Sequence, residues 1–164
     1  MADESRLSSE LRSLLHDQRV AALGTLNEDG APMVSMVPFA MAASQACLVI
    51  HVSELAAHTR NLRTNSAVSV LVMRPEVVGE PVHALPRVTL EGSAEVLQRD
   101  SPAWTACRAA YLERFPEAEP MTELGDFTFV AVDLAGARQI AGFGAARSVD
   151  ASELAQAIAP AMLP

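Results

Sequence analysis

The segment Ser53-Glu54-Leu55-Ala56-Ala57-His58-Thr59-Arg60-Asn61-Leu62 gathers hydroxyls, an imidazole and a carboxamide among apolar residues. Projected as a helix at about 100° per residue, Leu55 and Leu62 set the inward direction, with Thr59 to one side of it. His58 and Asn61 lie to the other side, and Arg60 points away. His58, Thr59 and Asn61 therefore sit at the rim of a buried face, where their donors need a partner other than bulk water. A phosphate is one such partner, and N–H groups at the helix start would strengthen its hold. The alternative is local: His58 and Asn61 bond to neighbouring carbonyls, and Ser53 only caps the helix.

A second polar singularity precedes it. From Ala31 onward, period-2 alternation puts Met33, Ser35, Val37 and Phe39 on one strand face and Val34, Met36, Pro38 and Ala40 on the other. Ser35 is then a lone hydroxyl on an apolar face. Pro38 has no N–H for a ladder, which marks an edge or bulge where backbone can turn toward a flat heteroaromatic ring.

Other chemistries are constrained by what the chain lacks. All twelve basic residues are arginine, so neither a Schiff-base lysine nor a P-loop lysine is available. Arginine, histidine and backbone must handle any phosphate. The two cysteines, Cys47 and Cys107, fall on different elements with no C-x-x-C pairing, which reads as buried, reduced thiols. His16, His51 and His83 fall on a helix, a strand end and a loop without zinc-like spacing, so no metal site is expected. His83 reads either as a haem ligand or as an ordinary solvated loop residue. Gly142-Phe143-Gly144 lacks the third glycine and the context of a dinucleotide loop. Neither G-x-S-x-G nor a Ser-His-Asp pattern is present.

The elements that must position these residues follow from periodicity and punctuation. Leu7, Leu11, Leu14 and Leu15 predict an amphipathic N-terminal helix over about 5–17, with Ser5 or Ser8 as its cap. Residues 19–26 predict a strand, Asn27-Glu28-Asp29-Gly30 a turn, and residues 31–41 the returning strand. An apolar β-branched run over 47–52 predicts a buried strand, with Ser53 starting a helix that ends near Asn65. Residues 67–73 predict another strand, and the proline-rich stretch 74–86 a loop. A strand resumes over 87–97, with Gly92 as a bulge or close-approach point. Ser101-Pro102 caps a helix over 103–115, strands follow over 127–134 and 138–141, and a short helix closes the chain over about 151–159. Strands dominate without regular strand–helix alternation, so the fold is expected to be mainly β with peripheral helices (α+β), an antiparallel barrel in one domain spanning 1–164.

Composition agrees. The chain has 164 residues, half of them apolar, enough for a single core. A net charge of −8 without a basic cluster argues against nucleic acid or an anionic membrane surface. The N-terminal stretch lacks the pattern of a signal peptide, and no apolar run nears the roughly 20 residues of a spanning helix. A cytoplasmic protein is expected.

The succession G-x-P-x-x-S-x-x-P-F (Gly30 to Phe39), S-E-L-A-x-H-T-x-N-L (Ser53 to Leu62), the apolar strand 67–73 and P-R-V-T-L-E-G (Pro86 to Gly92) resembles the FMN-binding split-barrel family related to pyridoxamine 5'-phosphate oxidase. Together with Ile140-Ala141-Gly142-Phe143-Gly144-Ala145-Ala146-Arg147, it is most similar to the subgroup associated with haem utilisation. The resemblance covers about residues 10–147. It implies FMN as cofactor, held between the subunits of a homodimer. Ser35 then faces the phosphate, and Met36, Val37 and Pro38 border the isoalloxazine ring. Ser53, His58, Thr59 and Asn61 form the phosphate corner, with His58 where relatives often carry lysine or arginine, and Arg87 approaches the ring from the other subunit. Without that cation FMN is expected to be held loosely.

Departures limit the transfer. Pyridoxamine 5'-phosphate oxidases carry a basic residue near Ala40 and an arginine- and histidine-containing C-terminal stretch, whereas this chain ends in AQAIAPAMLP. That oxidase activity is not expected, nor is a haem site that depends on the extra domain of longer haem-utilisation relatives. The leading expectation is an FMN-dependent oxidoreductase without an acid–base catalytic side chain. The alternatives are a haem-binding or haem-degrading protein on the same barrel, and a non-catalytic module for flavin or the deazaflavin F420.

Overall fold

The computed structural model describes residues 5–160. Residues 1–4 and 161–164, the outermost parts of the expected domain and of the C-terminal departure, lie outside the described residues. A helix α1 (Arg6–Asp17) leads into strands β1 (Val20–Leu26), β2 (Pro32–Pro38), β3 (Ala40–Ala42) and β4 (Cys47–Ser53). Then come α2 (Ala57–Thr64), β5 (Ala67–Met73), β6 (Arg87–Val96), α3 (Pro102–Arg114), α4 (Glu119–Thr122), β7 (Phe127–Ile140), β8 (Ala146–Asp150) and α5 (Ala151–Ile158).

All eight strands form one antiparallel sheet in the order β2-β1-β5-β6-β7-β4-β3, with β8 added on β7. The two ends of this path, β2 and β3, are one stretch of chain interrupted only at Phe39, whose N–H donates to the Arg19 carbonyl at 3.1 Å. The sheet must therefore curl back on itself, in keeping with the expected antiparallel split barrel. Its hairpin from β1 to β2 is made by Asn27, whose Oδ1 accepts from the N–H groups of Asp29 (3.0 Å) and Ala31 (2.8 Å), and by Gly30 at φ 78°.

Inside the curl, Leu23, Val37, Phe39, Leu48, Ile50, Val70, Leu90, Val130 and Val132 form the main core, and Leu11, Leu15, Leu154 and Ile158 of α1 and α5 close it. A second core lies outside the sheet, where Cys47, Val49 and Phe129 meet Trp104, Cys107, Tyr111 and Phe115. β4 is thus covered on both faces, which is why its sequence is continuously apolar instead of alternating. The helix caps are as their residue types predict. Ser101 Oγ accepts from Trp104 N–H at 3.1 Å, and Asp150 Oδ1 accepts from Glu153 N–H at 2.9 Å.

Three departures from expectation have physical causes. β7 continues past a bulge at Ala135 into Gly136-Ala137, where the sequence carries no strand signal, because β6 and β8 bond those two residues from both sides. β8 escapes a pattern reading because only Val149 in it is buried. The short α4 is too brief to show a helical period. Gly92 is the close-approach point of the two expected options: Glu91 faces Gly136 and Gly92 faces Leu134, so the bulged residue is Ala135 of β7, and a Cβ at Gly92 would lie 2.2 Å from the Asp133 carbonyl oxygen.

Candidate functional site

The helix carrying His58 starts later than its sequence suggests. Ser53 remains in β4, paired with Phe127, and Glu54 N–H donates to the Asp126 carbonyl at 2.8 Å. Pairing with β7 holds the chain extended, so α2 begins at Ala57, with Ala56 as an N-cap that offers no side-chain bond. Ser53 therefore does not cap it; its Oγ accepts from Leu55 N–H at 3.2 Å in a tight turn. Leu55, expected inward, is 78% exposed because it lies in that turn and not on the helix.

Within α2 the polar trio divides. Thr59 is fully buried and its hydroxyl donates to the Ser53 carbonyl at 2.6 Å. Asn61 is buried and its Nδ2 donates to Thr25 Oγ1 at 3.0 Å, with Met33 Sδ at 3.9 Å. These two bonds tie α2 to β4 and β1; they are not the local carbonyl bonds of His58 and Asn61, with Ser53 as a cap, that the sequence offered as the alternative. His58 is different. Its Nε2 is buried with no hydrogen-bond partner, and burial lowers its pKa, so the ring stays neutral near pH 7.

On β2 the predicted alternation holds. Val37 is buried and Ser35 half-buried, while Val34 and Met36 are 71% and 68% exposed. Pro38 pairs with Val20 at the end of the strand, beside the bend at Phe39. The Met36 side chain therefore leaves the barrel while that of Val37 enters it.

Arg87 lies elsewhere. The register places Met73 opposite Arg87, Arg87 opposite Ile140, and Ile140 opposite Ala146, a row across the far end of the sheet. Ala67, at the α2 end of β5, is the other terminus of that strand, about 20 Å away at 3.3 Å per residue. One protomer thus brings Ser53, His58, Thr59 and Asn61 to one end and Arg87 to the other, while Ser35, opposite Leu23 and so in line with Val70, lies midway along the sheet.

The Arg87 end holds groups that sequence reading did not combine. Arg87 Nη1 donates to the carbonyls of Leu85 (2.8 Å) and His83 (3.4 Å), which fixes the loop between β5 and β6. His83 is exposed there, and its imbalance with the other histidines is clear. His16 Nε2 is bonded to the Ala157 carbonyl at 3.0 Å, His51 is enclosed by Tyr111, Phe127 and Phe129, and His58 is tucked against α2's buried side. Val77, Val78 and Val82 stand exposed on the same loop, and Phe143 is 89% exposed on the turn that follows Ile140. In sequence these are scattered loop residues; only the register shows that they share one end.

Comparison with known proteins bears on what such an end would bind. The pyridoxamine 5'-phosphate oxidase family model matches residues 7–141. Heme oxygenase HutZ of Vibrio cholerae is 29% identical over 152 residues, 92% of this chain and 85% of that protein. Its solved structure, described as a haem storage protein, has a TM-score of 0.71 over 78% of this chain and 89% of its own. A chloroplastic heme oxygenase of Arabidopsis thaliana, HOZ, is 34% identical over 146 residues, 87% of this chain but 43% of that protein. A haem-binding protein from Mycobacterium smegmatis has a TM-score of 0.83 and 27% identity, covering 94% of this chain and 62% of that one. The chain thus spans less than two thirds of the plant and mycobacterial proteins. These relatives overturn the FMN-oxidoreductase expectation and favour its haem alternative. The misreading has a physical source: one fold hosts different ligands, so motifs that mark the barrel report the fold and not the ligand. The chain belongs to the pyridoxamine 5'-phosphate oxidase family, and its similarity within it runs to haem-handling split barrels.

Proposed function

We propose that this protein binds haem and degrades it, with haem as substrate. The observation that carries this reading is His83: among the described histidines it alone is an exposed ring outside the packed parts of the fold, and it stands between exposed valines and Arg87. The imidazole of His83 supplies an iron ligand. Val77, Val78, Val82 and Phe143 cover the apolar macrocycle, and Arg87, which uses Nη1 on the loop, has further N–H groups for a propionate. With a reductant and oxygen, haem iron supplies the oxidising chemistry. The protein's share is to bind, orient and limit water at the ring.

A homodimer is part of the proposal. Val20, Val34 and Met36 form an exposed apolar face on β1 and β2, beside a groove of about 650 Å³ lined by Gly24, Thr25, Met33, Val34 and Val68. A second copy is the fitting occupant, because only another protomer can bring an Arg87 end to an α2 corner. Met36, Val37 and Pro38 would then border the ligand, and Ser35 and His58 would offer it donors. Ser53, Thr59 and Asn61 hold that corner in shape.

Hemin titration tests the reading. A Soret shift saturating near one hemin per protomer is expected, with affinity weakened roughly tenfold or more in His83→Ala. Ascorbate in air should then bleach the Soret band. A stable band leaves storage, the role in the description of the HutZ structure, as the reading instead. Protein that ignores micromolar hemin overturns haem binding altogether.

A further inference from the structure

Cys47 and Cys107, separated by the whole middle of the chain, meet in the second core. Their sulfurs are 3.9 Å apart, one on β4 and the other on α3, and both are free, buried thiols. We propose that they are a modification site: a reversible disulfide, formed by hydrogen peroxide, that fastens α3 to the outer face of the barrel.

Geometry permits it. Disulfide formation requires the sulfurs to approach by about 2 Å, within reach of side-chain rotation where neighbours are small. Ala103 and Ala131 line the same cleft as the two cysteines. That cleft is about 350 Å³, so a small oxidant has a route to otherwise buried sulfur. Glu95 and Asp133 line the same cleft and make it acidic, which disfavours anionic oxidants and admits a neutral peroxide. No three metal-ligating side chains converge among the described residues, so the two sulfurs have each other as the available reaction partner.

The division of labour follows from the sulfur–sulfur contact. Hydrogen bonding with Cys107, together with burial and the nearby Asp133 charge, holds the Cys47 thiol above its ordinary range. The same contact lowers the pKa of Cys107, which has no carboxylate raising it as Asp133 raises Cys47, and Cys107 is the first to ionise. Cys107 thiolate attacks one peroxide oxygen, the O–O bond breaks, and the leaving hydroxide takes a proton to become water. The sulfur of Cys47 then displaces the hydroxyl of the Cys107 sulfenic acid, forming S–S and releasing a second water. In sum, two thiols lose two electrons and two protons, and one peroxide is reduced to two waters.

The staple reaches beyond its own bond. Arg114, on the same helix, donates to the carbonyls of Leu15, His16, Gln18 and Phe39. Fixing α3 therefore also fixes the end of α1 and the β2–β3 bend.

The test treats the full-length protein with hydrogen peroxide, then with dithiothreitol, without added hemin, so that its outcome is independent of the haem reading. Expected is a monomer mass lower by two hydrogens, loss of both titratable thiols in the denatured chain, and recovery of both on reduction. The oxidised form should unfold roughly 5–15 °C higher, a gain absent from Cys47→Ala and Cys107→Ala. Persistence of both thiols, added oxygen without the cross-link, or an interchain disulfide would each overturn the proposal. The wild-type mass decides the matter even where a variant fails to fold.

Discussion

His51 shows how one residue can depart from its ordinary chemistry through packing alone. Its ring lies 4.4 Å from Phe129, 5.3 Å from Phe127 and 5.8 Å from Tyr111, centroid to centroid, and its Nδ1 is buried without a partner. Burial, aided by the Arg99 charge, lowers its pKa from 6.5 to about 4. The unfolded chain therefore takes up a proton that the folded one refuses. This contribution is unaffected above pH 6.5, falls as pH drops from there to 4, and levels off below, costing on the order of 3 kcal/mol in all. His58, also lowered by burial, acts in the same direction. Urea unfolding at pH 7 and pH 4.5 should show wild type losing more stability than His51→Phe; equal losses would show that His51 is not the proton-sensitive group. At this scale the sequence marked where polar side chains stand but not what they meet. Thr59 and Asn61 read as rim donors, yet their partners, Ser53 O and Thr25 Oγ1, come from strands that only the fold brings near.

Elements were legible where a period or a cap was strong. The leucines of α1, the Ser101-Pro102 start of α3 and the Asn27–Gly30 turn lie where local chemistry puts them. Where pairing overrode local preference, as at Ser53 and along β7, the sequence misled. Gly92 joins the two cases: glycine in a strand signals a close approach, and the structure supplies the reason in the Asp133 carbonyl. Gly92→Ala places Cβ against backbone, which cannot yield as a flexible side chain would. A loss of about 2–4 kcal/mol in denaturant unfolding is expected. Asn61→Ala leaves Thr25 without its partner and should cost about 1–2 kcal/mol, with α2 amides exchanging faster by hydrogen–deuterium exchange.

For the whole molecule, the register separates Arg87 from the α2 corner, so the proposed ligand site depends on assembly. Replacing Val34 and Met36 together by glutamate puts like charges into the proposed interface. Sedimentation should then show monomers, with hemin affinity reduced; a wild-type protein that sediments as a monomer would remove the dimer from the proposal. No helix among the described residues is long and apolar enough to cross a membrane. The sequence by itself determined the antiparallel barrel with peripheral helices, because hydrophobic period and turn chemistry are local and act along the chain. It also determined the family, since the motif order is carried by the chain. Tertiary structure alone decided which residues meet: Cys47 with Cys107, Asn61 with Thr25, and Met73, Arg87 and Ile140 in one row. Those meetings depend on strand register and on how the sheet curls, which are set by long-range pairing and packing that no local window of sequence contains.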